Sequence, residues 1–419
     1  MKNKPYLHKD FIDQRALEIV ETLQKKRFAT YLVGGCVRDL LLGLQPKDFD
    51  IGTIAHPPQV KRTVPNSYII GKRFRLVLAK RNDDMFEIAT FRRDTTDEGD
   101  DDTLDENAYG TAEEDAKRRD FTINALFYDP FEEKLIDYNQ GLDDLQRGYV
   151  RMIGEPVQRL KEDPVRILRA IRLAHKIQFS IEPNLRQAIR DTAEALAESA
   201  LPRRREEYLK FLRLDDPSKP FIEAYDLGVL KHVAPLLHEV FSDPETARSF
   251  AYRLRNYEHF QFDLSDNSTL FAGVVHAYYR SMIQPSLEKT PSTKDLKTHE
   301  KLKSLMRDEL GMFNYEQDRC LKALHMQKTL QNWEEYERRG DRRRQAVFQN
   351  ESFPLGLIYC ELDQCLPDDA WSFWLEGYET FLPELMKRDL EKGDSNGFGR
   401  KKRNKSNRNR RRKPFKKPQ

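Results

Sequence analysis

Residues 32–53 read LVGGCVRDLLLGLQPKDFDIGT, and this stretch decides the fold of the N-terminal third. The apolar run Phe28 to Val33 predicts a strand that leads into Gly34 and Gly35. Neither glycine carries a Cβ, so the backbone there admits an anion at close range. The helix expected over Val37 to Leu42 points its amide donors and positive dipole end into that turn. Arg38 adds a planar, permanently charged fork suited to phosphate. Asp48 and Asp50 follow, one residue apart, and on a strand positions i and i+2 share a face. A lone Gly-Gly is ordinarily a turn, and a lone Asp-x-Asp a solvated strand edge. In this order and spacing they supply two hard oxygen ligands beside a phosphate cradle, which Mg²⁺-assisted phosphoryl or nucleotidyl transfer requires.

Downstream, Phe74, Leu76 and Leu78 alternate, as do Phe86, Ile88 and Thr90, with Arg81 to Asp84 between them. That pattern predicts a hairpin. Glu87 falls on the face opposite Ile88, a candidate third carboxylate beside Asp48 and Asp50. Residues 92–114 are acidic and almost free of aliphatics, the composition of a mobile loop. DAKRRDFTINALFYDP, residues 115–130, then places Lys117, Arg118 and Arg119 ahead of an expected helix with Phe121, Ile123, Leu126 and Phe127 on its apolar face. In EDPVRILRAIRLAHKIQF, residues 162–179, Asp163 reads as an N-cap and Pro164 as the first helical residue. Arg166, Arg169 and Arg172 recur there at every third position.

Three of these stretches resemble signatures of one family, the class II nucleotidyltransferases. It comprises tRNA CCA-adding enzymes and bacterial poly(A) polymerases, within the DNA polymerase β superfamily. The match to GGxVRD…DFD implies that Asp48 and Asp50 hold the metal ions, Mg²⁺, and that Gly34, Gly35 and Arg38 contact the nucleotide triphosphate. RRDFTINAL resembles the second signature, which implies phosphate contacts for Arg118 and Arg119, and for Asp120 a role at the ribose or the catalytic centre, with Asn124 assisting. EDPVR resembles the base-recognition motif and assigns Asp163 and Arg166 to the base, with Arg169 and Arg172 nearer the phosphates. A carboxylate accepts from adenine N6 or cytosine N4, and a guanidinium donates to adenine N1 or cytosine N3. Uracil and guanine present the opposite pattern and leave buried groups unpaired, at roughly 1–3 kcal/mol each. The pair selects A or C and does not choose between them. Ile69-Ile70-Gly71-Lys72-Arg73-Phe74 resembles the run typical of the poly(A) polymerase branch. The expected activity is therefore template-independent transfer of AMP from ATP to RNA 3′ ends. CCA addition is the alternative, and an inactive RNA-binding protein the more distant one.

The chain has 419 residues and four cysteines, with no CxxC pair. Nine scattered histidines show no zinc spacing. With no apolar run near the roughly 18 residues of a membrane span and nothing that reads as a signal peptide, a cytoplasmic location is expected. The net charge of +3 hides an asymmetry. Residues 400–419 hold 12 Lys/Arg and no acid, leaving 60 basic against 69 acidic residues elsewhere, net −9. So dense a basic tail cannot bury a core and suits an RNA backbone. The expected class is α+β: an N-terminal nucleotidyltransferase head with a mixed or antiparallel sheet, then an all-helical neck and body, then a disordered basic tail. The expected bounds are 1–150 for the head, 151–235 for the neck, 236–390 for the body and 391–419 for the tail.

Overall fold

The computed structural model describes residues 7–71, 76–93, 109–258, 266–284 and 291–395. Residues 396–419 of the basic tail, residues 94–108 of the acidic segment, and Lys72, Arg73 and Phe74 lie outside the described residues, while 391–395, expected in the tail, end a helix. Two compact units result. One takes the chain up to Arg166 together with Ile177–Ile189, and the other takes Ile167–Lys176 and the chain from Arg190 on.

The first unit is built on a seven-stranded sheet. Its strands are β1 (Thr30–Val33), β2 (Asp50–Thr53), β3 (Ser67–Ile70), β4 (Leu76–Arg81), β5 (Asp84–Thr90), β6 (Leu126–Asp129) and β7 (Lys134–Asp137). They lie in the order β3-β4-β5-β2-β1-β6-β7. All neighbours are antiparallel except β2 and β5, so the sheet is mixed, as the α+β class requires. One face carries Leu32, Ile51, Val77, Phe86 and Ile88 into a core shared with α1 (Gln14–Gln24), α2 (Gly35–Leu41) and α3 (Pro57–Thr63). Part of the other face is covered by a smaller cluster of Val33, Phe91, Ala116, Ala125, Phe127 and Ile153. Gly52 is required between these layers, because a Cβ would stand 2.7 Å from Phe91 Cε1 and 2.9 Å from Val33 Cγ1. A buried hydroxyl pair, Thr30 and Thr53 at 2.8 Å, ties β1 to β2 in register.

The β4–β5 hairpin turns at Asn82 and Asp83, with Asn82 taking the left-handed φ of 55° that asparagine tolerates. Two expectations are corrected. The acidic segment does not run unbroken to residue 114. Arg92 bridges Tyr109, and α4 (Ala112–Arg118) opens on a capping box between Thr111 and Glu114. No helix spans Phe121 to Phe127, since Thr122–Asn124 is one 3₁₀ turn and Leu126 and Phe127 begin β6. That strand is buried on both faces, and a short apolar run of this kind carries no periodicity to separate strand from helix. After β7, α5 (Gly141–Arg147) precedes β8 (Tyr149–Val150). β8 pairs with β9 (Ser180–Ile181).

The second unit is helical, with long helices at Leu201–Phe211, Asn267–Tyr278, Asn314–Gln331, Phe353–Leu362 and Asp368–Ser395. Trp374, Tyr378, Phe348 and Phe353 form its aromatic core. Asp363 pins several of these elements together, accepting from Gln327 Nε2 at 2.7 Å and Arg253 Nη1 at 2.8 Å, and meeting His276 Nε2 at 3.1 Å. Burial pushes its carboxyl up, but His276, Arg280 and Gln327 outweigh that and hold it well below the usual range. Ser292 and Asp295 form a capping box on a short helix, Thr293–Thr298. No helix among the described residues is long and apolar enough to cross a membrane.

Candidate active site

The ends of β1, β2 and β5 meet on the uncovered part of the sheet face. Asp50 opens β2 and pairs in parallel register with Glu87 of β5, so their side chains share one face while Ile51 and Ile88 share the other. Asp48 is corrected in one respect: it lies in a bend two residues before β2, not on the strand. Its charge is nevertheless felt at both partners. Crowding by protein raises the Asp50 carboxyl, Arg119 opposes this, and Asp48 adds to it. Glu87 is raised in the same way, by burial first and then by Asp50 and Asp48. All three side chains still reach solvent. Cys36, in the first turn of α2, lies beneath them with Sγ 3.9 Å from the Asp50 carbonyl. Burial drives that thiol up to about 12, so it is inert.

The glycine turn behaves differently at its two positions. Gly34 has φ 75° and ψ −127°, a conformation open essentially to glycine alone. A Cβ there would stand 2.9 Å from Arg119 Nη1. Gly35 begins α2, and a Cβ on it would meet only Arg38, at 3.6 Å or more. Gly34 therefore makes room for the arginine, and Gly35 leaves the helix start open.

Arg38 is corrected. It is 4% exposed, and its guanidinium is spent on Asp39 (Nε to Oδ1, 2.8 Å) and on the Asn124 carboxamide oxygen. It organises the motif from behind and is not presented as a phosphate fork. Asn124 is the hub: it accepts from Arg38, donates to Asp120 Oδ1 at 3.4 Å, and offers its carbonyl to Arg119 Nη1 at 3.1 Å. Asp120 also accepts from its neighbour's amide, Phe121 N, at 2.8 Å.

Arg118 and Arg119 are aimed by a residue the sequence reading passed over. Asp115, 2% exposed, accepts from Arg118 Nη2 at 2.6 Å and Nε at 3.0 Å, and from Arg119 Nε at 3.0 Å. Burial alone would raise its carboxyl. The two arginines and their hydrogen bonds outweigh that and hold it below the usual range. The signal was present, because an acid at i with arginines at i+3 and i+4 forms this clamp on any helix. Arg159 of α6 (Pro156–Glu162) was missed as well. Its Nη2 donates to the carbonyls of Arg118 at 2.7 Å and Arg119 at 3.2 Å, a contact across forty residues that no local pattern announces.

Asp163 does not cap a helix that begins at Pro164. It ends α6, its carboxylate accepts from Val165 N at 3.3 Å, and α7 (Arg166–Ile177) starts three residues later. Proline disfavours helical geometry in the residue before it, which places the turn here. Arg166 commits Nη1 to the Arg159 carbonyl at 2.6 Å and to Glu162 at 3.2 Å. Its backbone N–H donates to the Asp163 carbonyl at 3.0 Å. Arg169 and Arg172 belong to the second unit. Arg172 donates its Nε to the buried Glu207 at 2.7 Å.

The arrangement holds neighbouring carboxylates and a clamped arginine pair within one unit. Residues 30–151 match the model of the Poly A polymerase head domain, and residues 178–241 that of the probable RNA and SrmB-binding site of polymerase A. The chain is 40% identical to Poly(A) polymerase I of Haemophilus influenzae over 59% of its own length and 56% of that protein's. It is 33% identical to the CCA-adding enzyme of Ligilactobacillus salivarius, over 60% and 62%. The chain thus spans less than two thirds of the curated relatives it matches. The Bacillus stearothermophilus CCA-adding enzyme, solved with CTP, superposes with a TM-score of 0.63 at 24% identity, covering 90% of this chain and 82% of that one, a likeness of fold. Residues 30–151 thus form a Poly A polymerase head domain, and the chain is similar to poly(A) polymerases and to CCA-adding enzymes alike.

Proposed function

We propose that the protein adds AMP from ATP to RNA 3′ ends without a template, in the cytoplasm. The observation that carries this reading is the pairing of Asp50 and Glu87 on one sheet face, with Asp48 in the bend just ahead of β2 and Arg119 acting on Asp50. Asp50 and Glu87 are raised by burial first and by neighbouring carboxylate charge second, and such a site suits a hard divalent cation such as Mg²⁺. Among the described residues no three such groups close into a ready cage. Mg²⁺ is ordinarily held by one or two carboxylates together with substrate phosphates, so Asp48 and Asp50 are the residues that would hold it. Bound there, the ion supplies Lewis-acid stabilisation of charge developing on the phosphates.

The chain's own groups do the rest. Arg118 and Arg119, fixed by Asp115, bind the triphosphate as a preset pair and lose little freedom on doing so. Asp120 and Asn124 form the wall expected at the ribose. Asp163 and Arg166 present an acceptor and a donor to the adenine edge. The RNA 3′-oxygen attacks the α-phosphorus in line, one P–O bond forms, and pyrophosphate departs.

The test is purified protein, a generic RNA primer and each NTP separately, with Mg²⁺. Incorporation of AMP alone is expected, and loss of it in Asp48→Ala. The CCA-adding reading is favoured by the relative of that name. It is decided by CTP, since CMP transfer onto a tRNA lacking its terminal CCA would replace the first reading with the second.

A further inference from the structure

The helical unit holds a cleft of about 510 Å³ with an unusual wall. Small-molecule pockets of this size are mostly apolar. This one is lined by Tyr315, Arg319, Lys322, Gln349, Asn350 and Ser352 among others, and by no Leu, Ile, Val or Met. Beside it, Tyr315 and Phe313 stand 56% and 57% exposed, with ring planes 16° apart and centroids at 6.1 Å. Core packing does not account for two parallel rings left in water.

Both rings are held in place. The Arg205 guanidinium lies 4.6 Å from the Phe313 centroid and is buried in an ion pair with Glu316 at 2.7 Å. The Tyr315 hydroxyl donates to the same Glu316 at 3.3 Å. The cleft's cations, by contrast, are already neutralised. Lys322 pairs with Asp318 at 2.6 Å, and Arg319 is bound to Asp266, Ser268 and the Glu351 carbonyl. What the cleft offers is therefore flat aromatic faces next to amide groups. The Gln349 side chain makes no hydrogen bond among the described residues and can both donate and accept.

We infer that this cleft takes an unpaired nucleobase of the RNA strand, stacked on Tyr315 and Phe313, with Gln349 and the Asn350 Nδ2 available to its edge, the Asn350 Oδ1 being taken by Ser352 N at 3.0 Å. The inference rests on RNA being the substrate proposed above. A π-face and a polar edge within one planar group are what this wall complements, whereas a peptide anchor needs the aliphatic lining that is missing. Stacking also tolerates any base sequence, as a general RNA substrate demands.

The test uses the full chain and a labelled single-stranded oligoadenylate, with affinity followed by fluorescence anisotropy over a salt series up to about 0.5 M, where charge-driven binding is suppressed. Phe313→Ala and Tyr315→Ala should each weaken binding at least about fivefold, and Tyr315→Phe should retain it. The salt slope should be the same in every variant, because stacking releases no counterions. Exposed rings should be removable without unfolding, which melting curves verify. Unchanged affinity in both alanine variants overturns the inference and points to a protein occupant. A loss accompanied by a shallower slope overturns it too, since that signature belongs to phosphate contacts. AMP incorporation is read in parallel. Ring-dependent binding without incorporation defeats the proposed activity and leaves this site standing, and the reverse defeats this site alone.

Discussion

At the scale of single residues, the site's carboxylates divide by the sign of their shifts, and the two classes predict opposite effects. Asp115 is held below its ordinary value of 3.8 by Arg119 and Arg118. Its ionised form therefore stabilises the fold above that value, and the contribution is lost only as pH falls through the lower folded value. Asp115→Asn should cost about 2 kcal/mol, constant from about pH 5 upward in denaturant titrations. It should also raise KM for ATP about tenfold, with kcat less affected, because the arginines are still present but no longer aimed. A deficit that vanishes near pH 6 would assign the stability to some other group. Asp50 runs the other way. Its folded value lies above 3.8, so its charge costs stability that is absent below 3.8 and grows as pH rises through the folded value. Asp50→Asn should abolish AMP transfer and yet raise the melting temperature at pH 7 without divalent ions, with the gain shrinking toward pH 4. A lowered melting temperature at pH 7 would contradict the crowding of these carboxylates.

At the scale of elements, the glycine turn separates a residue the backbone needs from one the ligand is expected to need. Gly34→Ala forces a side chain into a glycine-only conformation and against Arg119, so about 1–3 kcal/mol of stability should be lost and KM for ATP should rise. Gly35→Ala sits at a helix start with ordinary clearance. It should melt no lower than the parent, and its defect should appear only in ATP affinity, if the amide cradle admits a phosphate there. Denaturation and nucleotide titration of both variants check the contrast, and equal destabilisation of the two would refute it. The same elements show what the sequence discloses. The mixed sheet, the hairpin through residues 76–90 and the helical C-terminal half follow from alternation, turn residues and helical period. β6 did not, because a strand buried on both faces has no alternation to display. The place of Asp48 and the start of α7 also shifted, since boundaries depend on turn hydrogen bonds that composition does not specify. At the site, local spacing made the Asp-x-Asp pair and the Arg118–Arg119 run visible. The burial of Arg38 and the reach of Arg159 arise from tertiary contacts, and no spacing encodes them.

At the scale of the whole molecule, charge is segregated along the chain, and that governs how it should meet RNA. Residues 1–399 carry a net −9, which repels a polyanion, so the 12 cations of residues 400–419 are the main source of long-range attraction. Each phosphate neutralised on a single strand contributes about −0.7 to the slope of log affinity against log salt. Cutting the chain after Gly399 should therefore flatten that slope by several units, with a ceiling of about 8 if every cation engages a phosphate. At low salt, RNA affinity should fall by orders of magnitude while KM for ATP stays put, because the arginines proposed to bind the triphosphate lie in the head. The two lengths of chain should converge in affinity as salt rises, since only the charge-driven part differs between them. Anisotropy titrations of oligoadenylate across the salt series read both quantities at once. Parallel lines of equal slope would show that the tail does not touch the RNA backbone, and the attraction would then have to come from arginines on the folded units despite their net negative charge.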